Sequence, residues 1–247
     1  MEQVLGMVLL LGSTVSLPTG MRIIGGSECL PHSQPWHVFI SNSRRTRCGG
    51  ALINEHWVVT AGHCLGSNIQ IHLGEHDLRK HDKGEQFSKA TKLIRHPEFE
   101  KVTLKNDIML LRLDPPAQLS ETIQIIPMAK ECAPIGTKCL VSGWGTTTYP
   151  EVNYASTLNC IDSEILSKEK CRSAYGQYFE ENEICSGILE GGKDSCQGDS
   201  GSPMICNGII HGIVSWGAEV CADKGKPAIY TAVCNFREWI EETMAVN

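Results

Sequence analysis

Twelve cysteines run through this chain from Cys29 to Cys234, and they limit its fold more than any other feature. Their number is even, and none stands in the tight Cys-x-x-Cys pairs usual for zinc. Cys29, Cys48, Cys64, Cys132, Cys139, Cys160, Cys171, Cys185, Cys196, Cys206, Cys221 and Cys234 therefore read as a disulfide framework, which belongs to an oxidising compartment. Spacing alone leaves the pairing open. The short apolar run Val4 to Leu11 fits that compartment. It is too short to span a bilayer, and Thr14-Val15-Ser16 after it suits cleavage, so residues 1–16 read as a secretory signal peptide. Its first residues carry Glu2 and no Lys or Arg; a buried amino-terminal strand is the competing reading. No other stretch is long or apolar enough for a membrane span. The expectation is a protein secreted to the outside or held in a secretory granule, with no membrane partner. Without an Asn-x-Ser/Thr sequon, N-glycosylation is not expected.

The 247 residues suffice for one large or two ordinary domains with real cores. A formal net charge of −6 lacks the basic excess of a nucleic-acid binder. Short β-rich runs, such as Trp36 to Ile40, Trp57 to Thr60 and Ile108 to Leu113, are separated by turn residues. The pattern resumes from about Cys132, beyond a Pro-, Gln- and Ser-rich stretch from Pro115 to Pro134. Two all-β units follow. Asn207-Gly208 between apolar runs is the strongest hairpin signal. One helix is expected, over Phe236 to Ala245, where Phe236, Trp239 and Ile240 share a face.

Chemistry gathers at Lys193 to Pro203, where Ser200 stands among small residues in a turn closed by proline. Such a serine is a nucleophile only if a base reaches it; otherwise Gly-Asp-Ser-Gly is a surface turn. Thr60-Ala61-Gly62-His63-Cys64 offers a base at the end of a β-rich run. Asn106-Asp107 offers a carboxylate entering an apolar strand, costly there unless paired. Singly, His63 is a surface or core histidine and Asn106-Asp107 a turn; the signal is the set. Arg22 before Ile23-Ile24-Gly25-Gly26 is either a loop or a processing site, where cutting would free an α-amine at Ile23.

Taken in order, Ile23-Ile24-Gly25-Gly26, Thr60-Ala61-Gly62-His63-Cys64, Asn106-Asp107-Ile108-Met109-Leu110-Leu111, Val141-Ser142-Gly143-Trp144-Gly145, Gly198-Asp199-Ser200-Gly201-Ser202-Pro203 and Ser215-Trp216-Gly217 resemble the chymotrypsin-like serine proteases. The likeness runs from Ile23 to the carboxyl terminus. Leu73 to Lys80 and Glu238 to Met244 are similar to the trypsin and kallikrein-related branch. The resemblance implies two antiparallel six-stranded Greek-key β-barrels with the active site between them, plus a C-terminal α-helix. A propeptide would cover residues 17–22 and a peptidase domain 23–247. Within it the barrels would occupy about 23–125 and 126–233, and the helix 235–245.

The same resemblance assigns catalysis to His63, Asp107 and Ser200, and the oxyanion hole to the N–H groups of Gly198 and Ser200. Asp199 would pair with the new amine of Ile23 once the chain is cut after Arg22. Asp194, Ser195, Ser215, Trp216, Gly217 and Ala228 would bind substrate, with Asp194 selecting Lys or Arg. The implied disulfides are Cys29–Cys160, Cys48–Cys64, Cys132–Cys234, Cys139–Cys206, Cys171–Cys185 and Cys196–Cys221. No cofactor is required, although Glu75, Asp77, Lys80, Asp82 and Glu85 fall where trypsins place a calcium loop, and oxygen-rich ligands suit that hard cation. A merely solvated charged loop is the alternative. Implied partners are peptide or protein substrates with Arg or Lys before the scissile bond and protein protease inhibitors, met by a monomer. Ala228 and Val220 depart from the glycines of trypsin-like pockets, Ser202 from a second glycine after the nucleophile, and Gly62 from the commoner alanine. A weakly active or non-enzymatic binding protein on the same scaffold is the alternative function.

Overall fold

A computed structural model of the chain describes residues 24–43 and 47–247. The expected signal peptide and propeptide, with Arg22 and Ile23, lie outside the described residues. The short apolar runs become antiparallel strands. The first set is β1 (Ser27–Glu28), β2 (His37–Ser41), β3 (Arg47–Asn54), β4 (Trp57–Thr60), β5 (Gln70–Leu73), β6 (Gln86–Arg95) and β7 (Met109–Asp114). Strands β2 to β7 close a barrel in the order β2-β3-β4-β7-β6-β5. Closure leaves no edge, and Leu52, Val58, Val59, Ile71, Leu110 and Leu111 are fully buried; consecutive residues face opposite ways, so β4 and β7 are covered on both the inner and the outer face of the barrel. Truncating Leu52, Ile71, Leu110 or Leu111 to alanine costs about 2–5 kcal/mol through lost burial and the cavity left behind.

The second set is β8 (Lys138–Gly143), β9 (Asn159–Glu164), β10 (Glu183–Ser186), β11 (Pro203–Cys206), β12 (Ile209–Trp216) and β13 (Ala228–Ala232). They form one sheet with β1 in the order β1-β9-β8-β11-β12-β13-β10. An isolated Ile165–Ser186 bridge, with Ser163 and Ser186 hydroxyls 2.6 Å apart, brings the end of β9 back against β10. The six strands of this half thus curl round, and β1 is added outside β9. Asn207 and Gly208, at φ 52° and 76°, make the two-residue turn between β11 and β12, as their sequence requires.

Helix α2 (Arg237–Val246) follows a 3-10 turn at Val233–Phe236. Phe236 and Ile240 are buried in the cluster that joins the first barrel's core to Ile205, Ile210 and Ile213 of β11 and β12, so the chain's end returns to pack where the two halves meet. A further helix, α1 (Lys168–Tyr175), was not expected from sequence. The Ser167 hydroxyl accepts from Lys170 N at its start, and Gly176 at φ 62° ends it. All twelve cysteines pair as the resemblance implies. Among the described residues, no helix is long and apolar enough to cross a membrane.

Candidate active site

His63 sits in a 3-10 turn, Gly62–Cys64, directly after β4, and the Cys48–Cys64 disulfide fixes the next residue to β3. Asp107 arrives just before β7, the strand paired with β4, where Thr60 lies opposite Met109. Ile108 N–H bonds to Asn106 carbonyl at 2.9 Å, a three-residue turn centred on Asp107 that swings its carboxylate inward just before β7. The carboxylate is 1 % exposed and surrounded by donors. His63 backbone N–H donates to Oδ1 at 2.8 Å, His63 Nδ1 lies 2.7 Å from Oδ2, and the Ser215 hydroxyl donates to Oδ2 at 2.6 Å. Ser215 belongs to β12 of the second sheet, so the site joins both halves. Because Asp107 occupies Nδ1, the imidazole proton stays there and Nε2 is left as the acceptor. A Cβ at Gly62 would stand 3.1 Å from Phe99 Cδ2 and 3.3 Å from Asp107 Oδ1, a tight fit that a shift of a few tenths of an ångström would relieve.

The serine turn is pinned at several points. Gly49 N–H donates to Ser200 carbonyl at 2.8 Å, and Gly201 N–H to Val214 carbonyl at 2.8 Å. Asp199 is fully buried beneath the turn, accepting from Gly145 N at 2.8 Å and Cys196 N at 2.9 Å. With no cation among the described residues beside it, burial pushes its carboxyl up to about 7. Gly198 has φ 93°, and a Cβ there would meet Tyr154 Cε1 at 2.8 Å, so only glycine fits. Among the described residues, the N–H groups of Gly198 and Ser200 have no protein acceptor, and the Ser200 hydroxyl and His63 Nε2 have no hydrogen-bond partner. Among the described residues, nothing else engages the base, the hydroxyl or the two donors that would meet an incoming carbonyl.

A cavity of about 230 Å³ opens beside Ser200. Asp194, Ser195, Ser215, Trp216, Gly217 and Ala228 all line it, as the sequence reading expects. Asp194 is 6 % exposed; it accepts from Ala222 N at 3.1 Å, and burial pushes its carboxyl up to about 7. The slot runs between the ends of β12 and β13, where a Cβ built on Gly217 would stand 3.9 Å from Ala228 Cα. The Ala228 methyl therefore narrows a slot that Gly217 keeps open. Two acids were missed from sequence. Glu219 is exposed on the cavity lining, only two residues beyond Gly217. Glu183 lies behind Trp216 and accepts its indole N–H at 2.7 Å, a contact with no local sequence signal.

The acidic loop is more selective than its sequence suggests. Glu75, Asp82 and Glu85 bring ligand oxygens within 4.8 Å of one another. Glu75 Oε1 is buried without a partner, and burial next to Glu85 raises its carboxyl to about 8. These features fit a hard cation. Asp77 does not join the group: Arg79 holds both its oxygens at 2.9 Å. The Lys80 ammonium lies 3.3 Å from Asp82 Oδ1, so only the Lys80 carbonyl is available as a ligand.

Comparison with known proteins agrees with this geometry. The family profile described as Trypsin matches residues 23–240. The chain is 48% identical over 240 residues to cationic trypsin-3 of Rattus norvegicus, covering 96% of each. It is 48% identical over 240 residues to serine protease 1 of Canis lupus familiaris, covering 96% of this chain and 97% of that one. Against trypsin of Sus scrofa it is 49% identical over 226 residues, covering 92% and 97%.

Proposed function

The chain belongs to the trypsin family and is a trypsin-like serine endopeptidase, and we propose that it is secreted as a zymogen and cleaves after Arg or Lys with His63, Asp107 and Ser200. Ser200 Oγ attacks the scissile carbonyl carbon while His63 Nε2 takes its proton. The carbonyl oxygen becomes an oxyanion held by the N–H groups of Gly198 and Ser200, typically worth 10²–10³-fold per donor. The C–N bond breaks, His63 returns the proton to the leaving amine, and an acyl-enzyme remains. Water, deprotonated by His63, then releases the acid and restores the serine. Asp107 keeps Nδ1 protonated and balances the imidazolium formed in each step.

The observation that supports this reading is a chain of contacts: Ser215, which donates to the Asp107 carboxylate that holds His63, lines the same cavity as Ser200 and the buried Asp194, and Cys64 Sγ, next to His63, lies 3.7 Å from the Ser200 carbonyl oxygen. His63 is held by Asp107 at 2.8 and 2.7 Å, and Ser200 shares its cavity with Asp194. A buried carboxylate without a counter-ion favours a cationic side chain, because the ligand offsets its desolvation. Secretion is supported by the amino-terminal apolar run and six disulfides. The zymogen reading rests on Arg22 before Ile23 and on Asp199, a buried acid poised to meet a new amine. Glu75, Asp82 and Glu85 would hold calcium, which stiffens the loop and takes no part in the chemistry. Protein inhibitors would enter the same cleft as substrates, and the enzyme would act as a monomer.

The test is to cleave the purified chain after Arg22 and assay peptides that differ only in the residue before the scissile bond. Turnover confined to Arg and Lys peptides, absent in Ser200→Ala, supports the reading. Equal turnover in Ser200→Ala, or none in the cleaved wild type, overturns it.

A further inference from the structure

Glu183 opens β10 and is 5 % exposed, yet the chemistry described above does not use it. Its two oxygens are both taken by donors. Oε1 accepts the Trp216 indole N–H at 2.7 Å, and Oε2 accepts the Glu180 backbone N–H at 2.8 Å. Trp216 ends β12, lines the cavity beside Asp194 and is half-buried, its ring packed edge-on against Tyr175 with centroids 4.9 Å apart. Only one polar atom of the indole needs a partner, and Glu183 supplies it. The acid is thus a fixed bracket behind a wall of the substrate cleft.

We propose that Glu183 is the positioning residue of Trp216, and that its doubly accepting carboxylate sets how firmly the cleft holds substrate residues preceding the one in the Asp194 pocket. This inference rests on the endopeptidase reading and on Trp216 as a substrate contact.

The charges around Glu183 make the bracket sensitive to pH. On the segment just before β10, the Glu180 carboxylate faces it and is itself paired with Lys105 at 3.6 Å. Nearby Lys168 and Arg172 of α1 are engaged by Glu181. From the turn before β7, Asp107 adds a second negative charge, although His63 lies against it. From β13, Thr231 sits opposite Glu183 in the ladder and donates its hydroxyl to the Asp107 carbonyl at 2.8 Å, so it brings no charge. From β12 comes only the neutral indole donor. A buried carboxylate with two acidic neighbours and no cation of its own holds its proton up to about 7. The Trp216 indole and the Glu180 backbone N–H both donate to it, so protonation removes the charge assistance from these bonds and leaves the hydroxyl oxygen as the weaker acceptor of the two. Above pH 7 both bonds are charge-assisted; below it the wall loosens.

The test uses two arginine amides with the same leaving group, one a single blocked arginine and one a tetrapeptide ending in arginine. Both are assayed with protein cleaved after Arg22, and the catalytic groups, the Asp194 pocket and the bond broken are common to both, so the pH dependence they share cancels in the ratio of the two kcat/KM values. In the wild type this ratio rises about fivefold from pH 6 to pH 8, with its midpoint near 7 and mainly through KM, the size expected for one weakened hydrogen bond. Glu183→Gln, which sets an NH2 group against one of the two donors at every pH, flattens the profile at a low ratio. Trp216→Phe, which removes the indole donor and leaves Glu183 in place, flattens it as well, so the inference does not depend on one variant folding. A wild-type ratio that is independent of pH, or variants that keep the wild-type slope, overturns the inference alone. Turnover of neither amide by the wild type overturns the endopeptidase reading and this inference with it.

Discussion

Asp194 donates its backbone N–H to the Ile24 carbonyl at 3.0 Å, so the acid of the substrate cavity and the chain just after Arg22-Ile23 form one hydrogen-bonded unit. Gly25, at φ 74°, makes the approach feasible: a Cβ there would fall 2.1 Å from the Gly192 carbonyl oxygen. Whatever moves the amino-terminal segment also moves the cavity.

Cleavage after Arg22 should therefore change both activity and pH-dependent stability. Asp199 holds its proton to about 7 in the uncut chain, well above the usual carboxylate range. The folded state binds more protons than the unfolded one between about pH 4 and 7, so stability falls as pH rises through that window, by at most about 4 kcal/mol from this group. A nearby α-amine depresses the carboxyl and removes much of that fall. Thermal melts between pH 4 and 8, before and after cleavage, should show a shallower decline in the cut protein, alongside the appearance of amidase activity. Identical slopes in the two forms would count against an Asp199–amine pair.

Asp107→Asn should leave the fold intact and lower kcat by at least about 10³-fold, because the amide no longer enforces a proton on Nδ1. KM should change much less, since Asp107 does not line the substrate cavity. The combination of a native melting profile, a near-native KM and a collapsed kcat is the expected signature; a loss confined to KM would remove Asp107 from the chemistry.

Binding of a guanidinium inhibitor should strengthen as pH rises from 5 to 8, with protons released, because only ionised Asp194 attracts it and its carboxyl titrates near 7. Ala228→Gly should widen the slot facing Gly217. The methyl costs about 1–3 kcal/mol wherever a bulky side chain must pass it. The broad fork of arginine meets it before the slim stem of lysine, so the Arg-to-Lys ratio of kcat/KM should rise in the variant. An unchanged ratio would show that Ala228 does not set the choice.

Calcium should raise the melting temperature at pH 8, and Glu75→Gln should abolish the increment. The same change should stabilise the metal-free protein at that pH, because it removes one of three crowded carboxylates, a raised acid whose ionisation costs stability as pH climbs from about 4 to 8. Isothermal calorimetry on wild type and variant separates binding from general salt effects. No calcium effect on the wild type would leave the loop as a solvated cluster.

His63, Asp107 and Ser200 were legible in sequence because they stand as a set in short frames, some of whose residues have steric duties: Gly198 and Gly201, at positive φ with no room for a Cβ, and Asn106, at φ 54°, would be strained as most other residues. Asn207-Gly208 and the buried face of α2 were legible for the same local reasons. Helix α1 was not, because only Cys171 of its eight residues is buried and it has no apolar stripe to read; its cap at Ser167 was the available clue. Asp77 looked like a cation ligand until Arg79, two residues on, claimed both its oxygens. Glu183 was invisible because its meaning comes from Trp216, distant along the chain and adjacent only after β10, β13 and β12 have paired.

Strand β1 has one further consequence. It precedes the first barrel in the chain, yet pairs with β9 and is bound to it by Cys29–Cys160, while α2 crosses the other way. The two halves are thus laced together at both ends, like a box with straps on opposite sides. A cleft braced in this way has little freedom to close over what enters it. Adaptation then falls to the peptide, which must arrive extended and give up its own conformational entropy, so exposed, mobile loops should be cut long before folded segments.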